Sequence, residues 1–199
     1  MTQAKTATLT DAALREAALA YVARYGGTQA ALSRALDRRI RRWAEAHLAL
    51  EGADREAIGA QAAILRRQAA KVVASLTDLG AVDDQAFAES RARRLRRAGR
   101  SRRAVLAHLA AKGVDADKAG AAVPEDDAAE LAAALAFARR RRVGPFSVHE
   151  DELPPEQAAR VLAAFGRAGF SGAVARRILA YDREEAEQLL LANRQTSGG

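Results

Sequence analysis

Arginine is the residue type through which this chain could act. Arg91, Arg93, Arg94, Arg96, Arg97, Arg100, Arg102 and Arg103 crowd one stretch, and no acid falls between Glu89 and Asp115. A second cluster is Arg139, Arg140, Arg141 and Arg142, and a third is Arg38, Arg39, Arg41 and Arg42. On a helical wheel Ala88, Ala92, Leu95 and Gly99 face inward. Arg93, Arg94 and Arg97 then point away from the core, with Arg91 and Arg96 on the flanks. A merely solvated face would alternate signs, whereas this one repels itself. Arg102 and Arg103 follow the capping residue Ser101, in a first helical turn that disfavours cations. Beside free N–H groups they make a seat for a phosphate or a carboxylate. Arg139 to Arg142 lie at a helix C-terminus, where cations are favoured in any case. Trp43, next to the third cluster, is expected to pack into the core rather than stack a base.

The whole composition agrees. Of 199 residues, 32 are Lys or Arg and 25 are Asp or Glu, a net charge of +7, which points to an anionic partner. There is no cysteine, so disulfides, thiol catalysis, Fe–S clusters and Cys-based zinc sites are excluded. His47, His108 and His149 are far apart, without metal-ligand spacing. No phosphate loop or nucleophile motif occurs. The acid pairs Asp83-Asp84, Asp126-Asp127 and Glu184-Glu185 fall at helix starts, where capping explains them. No apolar run reaches the ~18 residues that span a membrane, and Met1 to Leu9 lacks a secretory core. The expectation is a soluble cytoplasmic protein with no cofactor and no catalytic or metal-binding residue.

The elements that carry these side chains are all helical. Ala, Leu, Arg, Glu and Gln dominate nearly every segment, and no run alternates like a strand. Gly26-Gly27, Gly80, Gly99, Gly113, Gly144-Pro145, Pro154-Pro155 and Gly169 cut the chain into helices. The first spans Asp11 to Tyr25, with Leu14, Ala18, Tyr21 and Tyr25 as its buried stripe. Thr28 caps a long second helix reaching Leu50. A third runs to Leu79 with Ile64, Leu65, Val72, Val73 and Leu76 inward. Asp127 with Glu130, and Asp182 with Glu185, read as capping boxes. Ser147 to Leu153 is an acidic loop containing His149.

An internal repeat emerges from the spacing. An offset of 56 lays Val105, Leu106, Leu109 and Gly113 over Val161, Leu162, Phe165 and Gly169. An offset of 73 lays Thr28, Leu32 and Leu36 over Ser101, Val105 and Leu109. The chain therefore reads as three tandem three-helix repeats, 11–80, 83–123 and 126–180, with the first expanded. A flexible N-terminus precedes them (1–10). A terminal helix (182–192) and a disordered tail (193–199) follow. Units this small bury little surface alone, so neighbours are expected to stack into an elongated, curved array.

Three stretches resemble the RecX family of bacterial RecA regulators: Leu79-Gly-Ala-Val-Asp-Asp-Gln-Ala-Phe-Ala-Glu before the arginine-rich helix; Gly99-Arg-Ser-Arg-Arg with Leu109-Ala-Ala-Lys-Gly-Val-Asp115; and Ala136-Phe-Ala-Arg-Arg-Arg-Arg-Val-Gly-Pro-Phe146 with Ala168-Gly-Phe-Ser-x4-Arg-Arg-Ile-Leu179. The likeness covers residues 10–180, and the expanded first repeat departs from the commoner compact pattern. It implies a protein that binds RecA and the RecA–single-stranded DNA filament, and a monomer is expected. It further implies suppression of ATPase, strand exchange and coprotease activity in recombination, repair and the SOS response, with weak DNA binding besides. Arg93, Arg94, Arg97, Arg102 and Arg103 are then the foremost contacts and Arg139 to Arg142 secondary ones. The alternative is a helical protein that binds nucleic acid nonspecifically through the same arginines.

Overall fold

Residues 8–147 and 154–196 are described in a computed structural model, the side chains of Arg194 and Thr196 excepted. Among them are ten α-helices and no strand, so the all-α expectation holds. The helices are α1 (Asp11–Tyr25), α2 (Gln29–Leu48), α3 (Arg55–Asp78), α4 (Asp84–Arg97), α5 (Arg102–Lys112), α6 (Ala116–Ala122), α7 (Asp127–Arg141), α8 (Pro155–Arg167), α9 (Gly172–Ala180) and α10 (Arg183–Thr196). A 3-10 turn, Gly144–Phe146, follows α7. The acidic loop with His149, Glu150, Asp151 and Glu152 lies outside the described residues, as do 1–7 and 197–199. Of the expected flexible N-terminus, Leu9 is buried in the core and Thr10 caps α1.

Most ends follow local chemistry. Thr28 accepts from the Ala31 amide, Asp54 from Glu56 and Ala57, and Ser171 from Val174. Asp182 and Glu185 form a reciprocal capping box at 2.8 and 3.1 Å. Four details differ from expectation. The cap of α7 is Asp126, not Asp127, and Glu130 reaches another helix instead of closing a box. Helix α7, expected through Val143, stops at Arg141 because Arg142 turns left-handed (φ 54°). Helix α2 ends at Leu48, and α10 continues to Thr196.

The chain divides into two compact units. One is Met1–Phe87 with Lys112–Val114, and the other is Ala88–Ala111 with Asp115–Gly199. In the first, α1, α2 and α3 bury Leu14, Leu32, Leu36, Ile40, Leu65, Val72 and Leu76. Two residues expected inside are not. Tyr25, in the last turn of α1, is 64% exposed and rests on Tyr21, with Arg24 over its ring. Ile64 sits one residue off the 62–65–69–72–76 stripe of α3 and is also exposed. Trp43 packs onto the core as expected, against the His47 ring. Asp37 of α2 accepts from Arg66 of α3 at 3.0 Å and from Arg41 at 2.8 Å.

The second unit is built round three rings. Phe137, Phe165 and Phe170 lie 4.9 to 5.8 Å apart, centroid to centroid. Each such pair contributes about 1 kcal/mol beyond its buried area. Gly99 approaches α7 so closely that a Cβ there would lie 2.6 Å from the Phe137 nitrogen.

One contact is made twice. Thr28 caps α2 while its hydroxyl donates to the Lys112 carbonyl at 2.7 Å. Ser101, 73 residues on, caps α5 and donates to the Ala168 carbonyl at 2.7 Å. Each accepting carbonyl precedes a left-handed glycine, Gly113 or Gly169. The first amides of the same helices also repeat: Gln29 donates to Asp84 at 2.9 Å and Arg102 to Glu130 at 3.0 Å.

The two hydroxyls should differ in worth. Losing a cap costs about 1 kcal/mol, and stranding a buried carbonyl costs about 1–3 more. Arg34 also reaches the Lys112 carbonyl, at 3.1 Å. Ser101→Ala is therefore expected to cost about 2 kcal/mol or more and Thr28→Ala about 1; urea unfolding measures both. Gly99→Ala combines a clash with a positive φ of 75° and should cost about 3 kcal/mol in the same assay. The hydrogen bond from Arg66, and then that from Arg41, holds the Asp37 carboxyl below its ordinary 3.8. That stabilisation is complete above 3.8 and is lost as pH falls through the lowered folded value. Asp37→Asn should lack this part of the acid limb in thermal melts recorded across an acid pH series.

Candidate arginine interface

The arginines fall into two classes, those the fold uses and those it leaves outward. Arg91 of α4 donates through Nε to His108 Nε2 of α5 at 3.0 Å and is half-buried. Arg96 is largely buried (16% exposed) and pairs with Glu130, itself 19% exposed. It also donates to the Arg100 carbonyl. Arg102 donates through Nε to the Val123 carbonyl at 2.8 Å and stands 3.5 Å from Glu125. These three tie α4, α5, α6 and α7 together.

The anion seat expected at the start of α5 exists, and the chain fills it itself. Glu130 accepts from the Arg102 amide and takes Arg96 on the same oxygen. A carboxylate at a helix N-terminus answers both the free N–H groups and the dipole. Arg102 is accordingly a strut within the fold, with its side chain still 32% exposed. The sequence signal for this was Glu130 itself, one turn into α7, whose spacing from Asp127 suggested a local role.

Arg93, Arg94, Arg97, Arg100 and Arg103 remain exposed. Arg93 stands 3.9 Å from Glu89, a weak pairing. Arg94, Arg97, Arg100 and Arg103 form no side-chain hydrogen bond or ion pair among the described residues. Arg103 passes beside Gly169, where a Cβ would lie 3.3 Å from its Nε.

The first and second clusters meet in a cleft of 270 Å³. Arg100 enters it from the α4–α5 junction, Arg140 and Arg141 from the end of α7, and Arg167 from the end of α8. Two of the four are anchored. Arg140 donates to the Ala98 carbonyl at 2.6 Å, and the Arg141 guanidinium lies over the Phe137 ring at 5.5 Å. Among the described residues no acid lines the cleft. Arg139 and Arg142 are exposed and do not line it. Arg167 had been missed, because a lone arginine near a helix end has no neighbours in sequence to mark it. In the first unit Arg38, Arg39 and Arg42 are exposed, while Arg41 is held by Asp37.

Among the described residues no His, Cys, Asp and Glu group is placed to hold a metal ion, and no helix is long and apolar enough to cross a membrane. Removing the carboxylate of Glu130 would leave Arg96 buried and unpaired. Glu130→Gln is expected to cost about 3 kcal/mol, read as a lowered urea midpoint, with less loss in an Arg96→Met, Glu130→Gln double variant.

Comparison with known proteins agrees with this architecture. Residues 83–123, holding α4, α5 and α6, match the family profile described as RecX, second three-helix domain. The regulatory protein RecX of Myxococcus xanthus (strain DK1622) is 35% identical over 168 residues, 83% of each chain. That of Agrobacterium fabrum (strain C58 / ATCC 33970) is 40% identical over 111 residues, 55% of this chain and 58% of the relative. No solved structure gives a significant match. The helices, the arginine-bearing stretch between α4 and α5, and a shared sequence over most of the length lead to one conclusion: this chain belongs to the RecX family.

Proposed function

We propose that this protein is a monomeric regulator that docks on RecA and on the RecA–single-stranded DNA filament. In that role it restrains ATPase, strand exchange and coprotease activity. Kinship with regulatory proteins named RecX, over 83% of the chain, is the observation that carries the reading. The arginine surface supports it: Arg93, Arg94, Arg97 and Arg103 are outward cations suited to an acidic protein face or a nucleoprotein. The duplicated cap contact supports three tandem repeats over 11–80, 83–123 and 126–180, a division that belongs to this proposal. The chemistry on offer is recognition, so the role is regulatory and not catalytic.

Two measurements test the proposal. Binding to bare and to RecA-coated single-stranded DNA, side by side across a salt series, should show tighter and less salt-sensitive binding to the coated strand. Equal or stronger binding to the bare strand, falling steeply with salt, would favour plain nucleic-acid binding instead. Arg94→Glu with Arg97→Glu should abolish inhibition of the RecA ATPase while the circular dichroism spectrum stays helical. Full inhibition by that double variant would remove this face from the interface.

A further inference from the structure

Where α4, α6 and α7 converge in the second unit, a pocket of 180 Å³ stands open. Its floor is apolar. Ala92 of α4 and Val123 after α6 are buried, and Pro124 and Ala129 continue the surface. The hole exists because these side chains are short. Among the described residues no side chain fills it. The rim is positive on one side. Arg93 and Arg97 stand one turn apart on α4, both exposed. Arg93 lies 3.9 Å from Glu89, a weak pairing, and Arg97 has no side-chain partner among the described residues. Arg96, deeper in, is paired with Glu130. Asp126, on the α7 side, caps that helix by accepting from the Ala129 amide at 3.0 Å. Acids of a partner are thus favoured over α4 and disfavoured over the start of α7.

We infer that this pocket anchors a protein partner. It takes one large apolar side chain, the size of leucine, methionine or phenylalanine, from a segment whose acids lie over Arg93 and Arg97. A cavity of about 150 Å³ admits a benzene ring, so 180 Å³ is enough for such a side chain. The aliphatic stems of the two arginines extend the apolar wall while their forks meet carboxylates. An apolar anchor in a pocket with a polar rim is where protein interfaces concentrate their binding energy. A nucleic-acid strand meets half of these requirements. Its phosphates suit the rim, but a floor of alanine, valine and proline has no ring on which a base could stack. The inference deepens the reading above and rests on it for the partner, an acidic segment of RecA.

The test has two arms. In the first, methyl resonances of Ala92, Val123 and Ala129 in the wild-type full chain are followed by NMR. The probe is the acetylated peptide amide Phe-Asp-Glu-Glu, and its partner is Ala-Asp-Glu-Glu. The phenylalanine peptide should move these methyls saturably, and the alanine peptide should bind at least about tenfold more weakly. No saturable shift, or equal affinity of the two peptides, would overturn the inference. So would oligothymidylate moving the same methyls as far, which would make the pocket a nucleic-acid seat. In the second arm Ala129→Leu fills the pocket from within, and a melting curve checks its fold. Ala107→Leu, exposed on α5 away from the pocket, is the control. Ala129→Leu should bind DNA-free RecA about tenfold or more weakly, and the control should bind as wild type does. Unchanged binding by Ala129→Leu would overturn the anchor and leave the RecA reading standing. If the peptide shifts appear but wild-type protein does not bind RecA, the pocket stands and the RecA reading falls. The peptide arm decides even where Ala129→Leu is unstable.

Discussion

The structure depends on a hydroxyl that serves two helices. Thr28 and Ser101 each accept from their own helix and donate to a carbonyl at the end of another. Both are buried, so neither bond competes with water. The accepting carbonyl can come so close because a glycine follows it. A Cβ at Gly169 would sit 2.4 Å from the Ser101 oxygen, and one at Gly113 would sit 2.3 Å from the Ala30 Cβ. The hydroxyl and the glycine are thus one device, and the carboxylates of Asp84 and Glu130 complete it at the neighbouring amides. With aromatics scarce and alanine plentiful, such polar joints supply the specificity that a core of large side chains would otherwise give.

The same joint fixes the charge pattern. Once Glu130 is committed to the start of α5, Arg96 must pair with it, and Arg102 turns towards Val123 and Glu125. The outward arginines are those left over. Internal struts and outward cations are therefore interleaved within one run of sequence: Arg96 pairs inside the fold while its neighbour Arg97 is exposed.

Much of this was legible beforehand. The helix breaks at Gly26, Gly80, Gly99, Gly113 and Gly169 and the offsets of 73 and 56 were readable, because turns and helical periods are local properties. The offsets even aligned Thr28 with Ser101 and Gly113 with Gly169, though not the bonds between them. What period cannot supply is the partner. The wheel placed Arg91 and Arg96 correctly on the flank of α4 but could not name His108 or Glu130 as what they meet. Likewise the dipole argument found an anion seat at Arg102 and could not see that an acid 28 residues away would fill it. The cleft was invisible for the same reason, since Arg100, Arg140 and Arg167 converge only through three helix ends. Tyr25 and Ile64 failed because a stripe drawn at 100° per residue says little about the last turn or about a residue just off the seam.

The hydroxyl joints have a consequence for how such chains drift. Their acceptors are main-chain oxygens of Lys112 and Ala168, which any residue type provides. Substitution at 112 or 168 leaves the bond in place, so neither acceptor position is obliged to change with the hydroxyl it serves. The hydrogen bond itself therefore leaves no correlated signature between donor and acceptor positions for contact inference to find. It is carried instead by single positions, a small hydroxyl at one end and a glycine at the other, each of which looks like an ordinary cap when read alone.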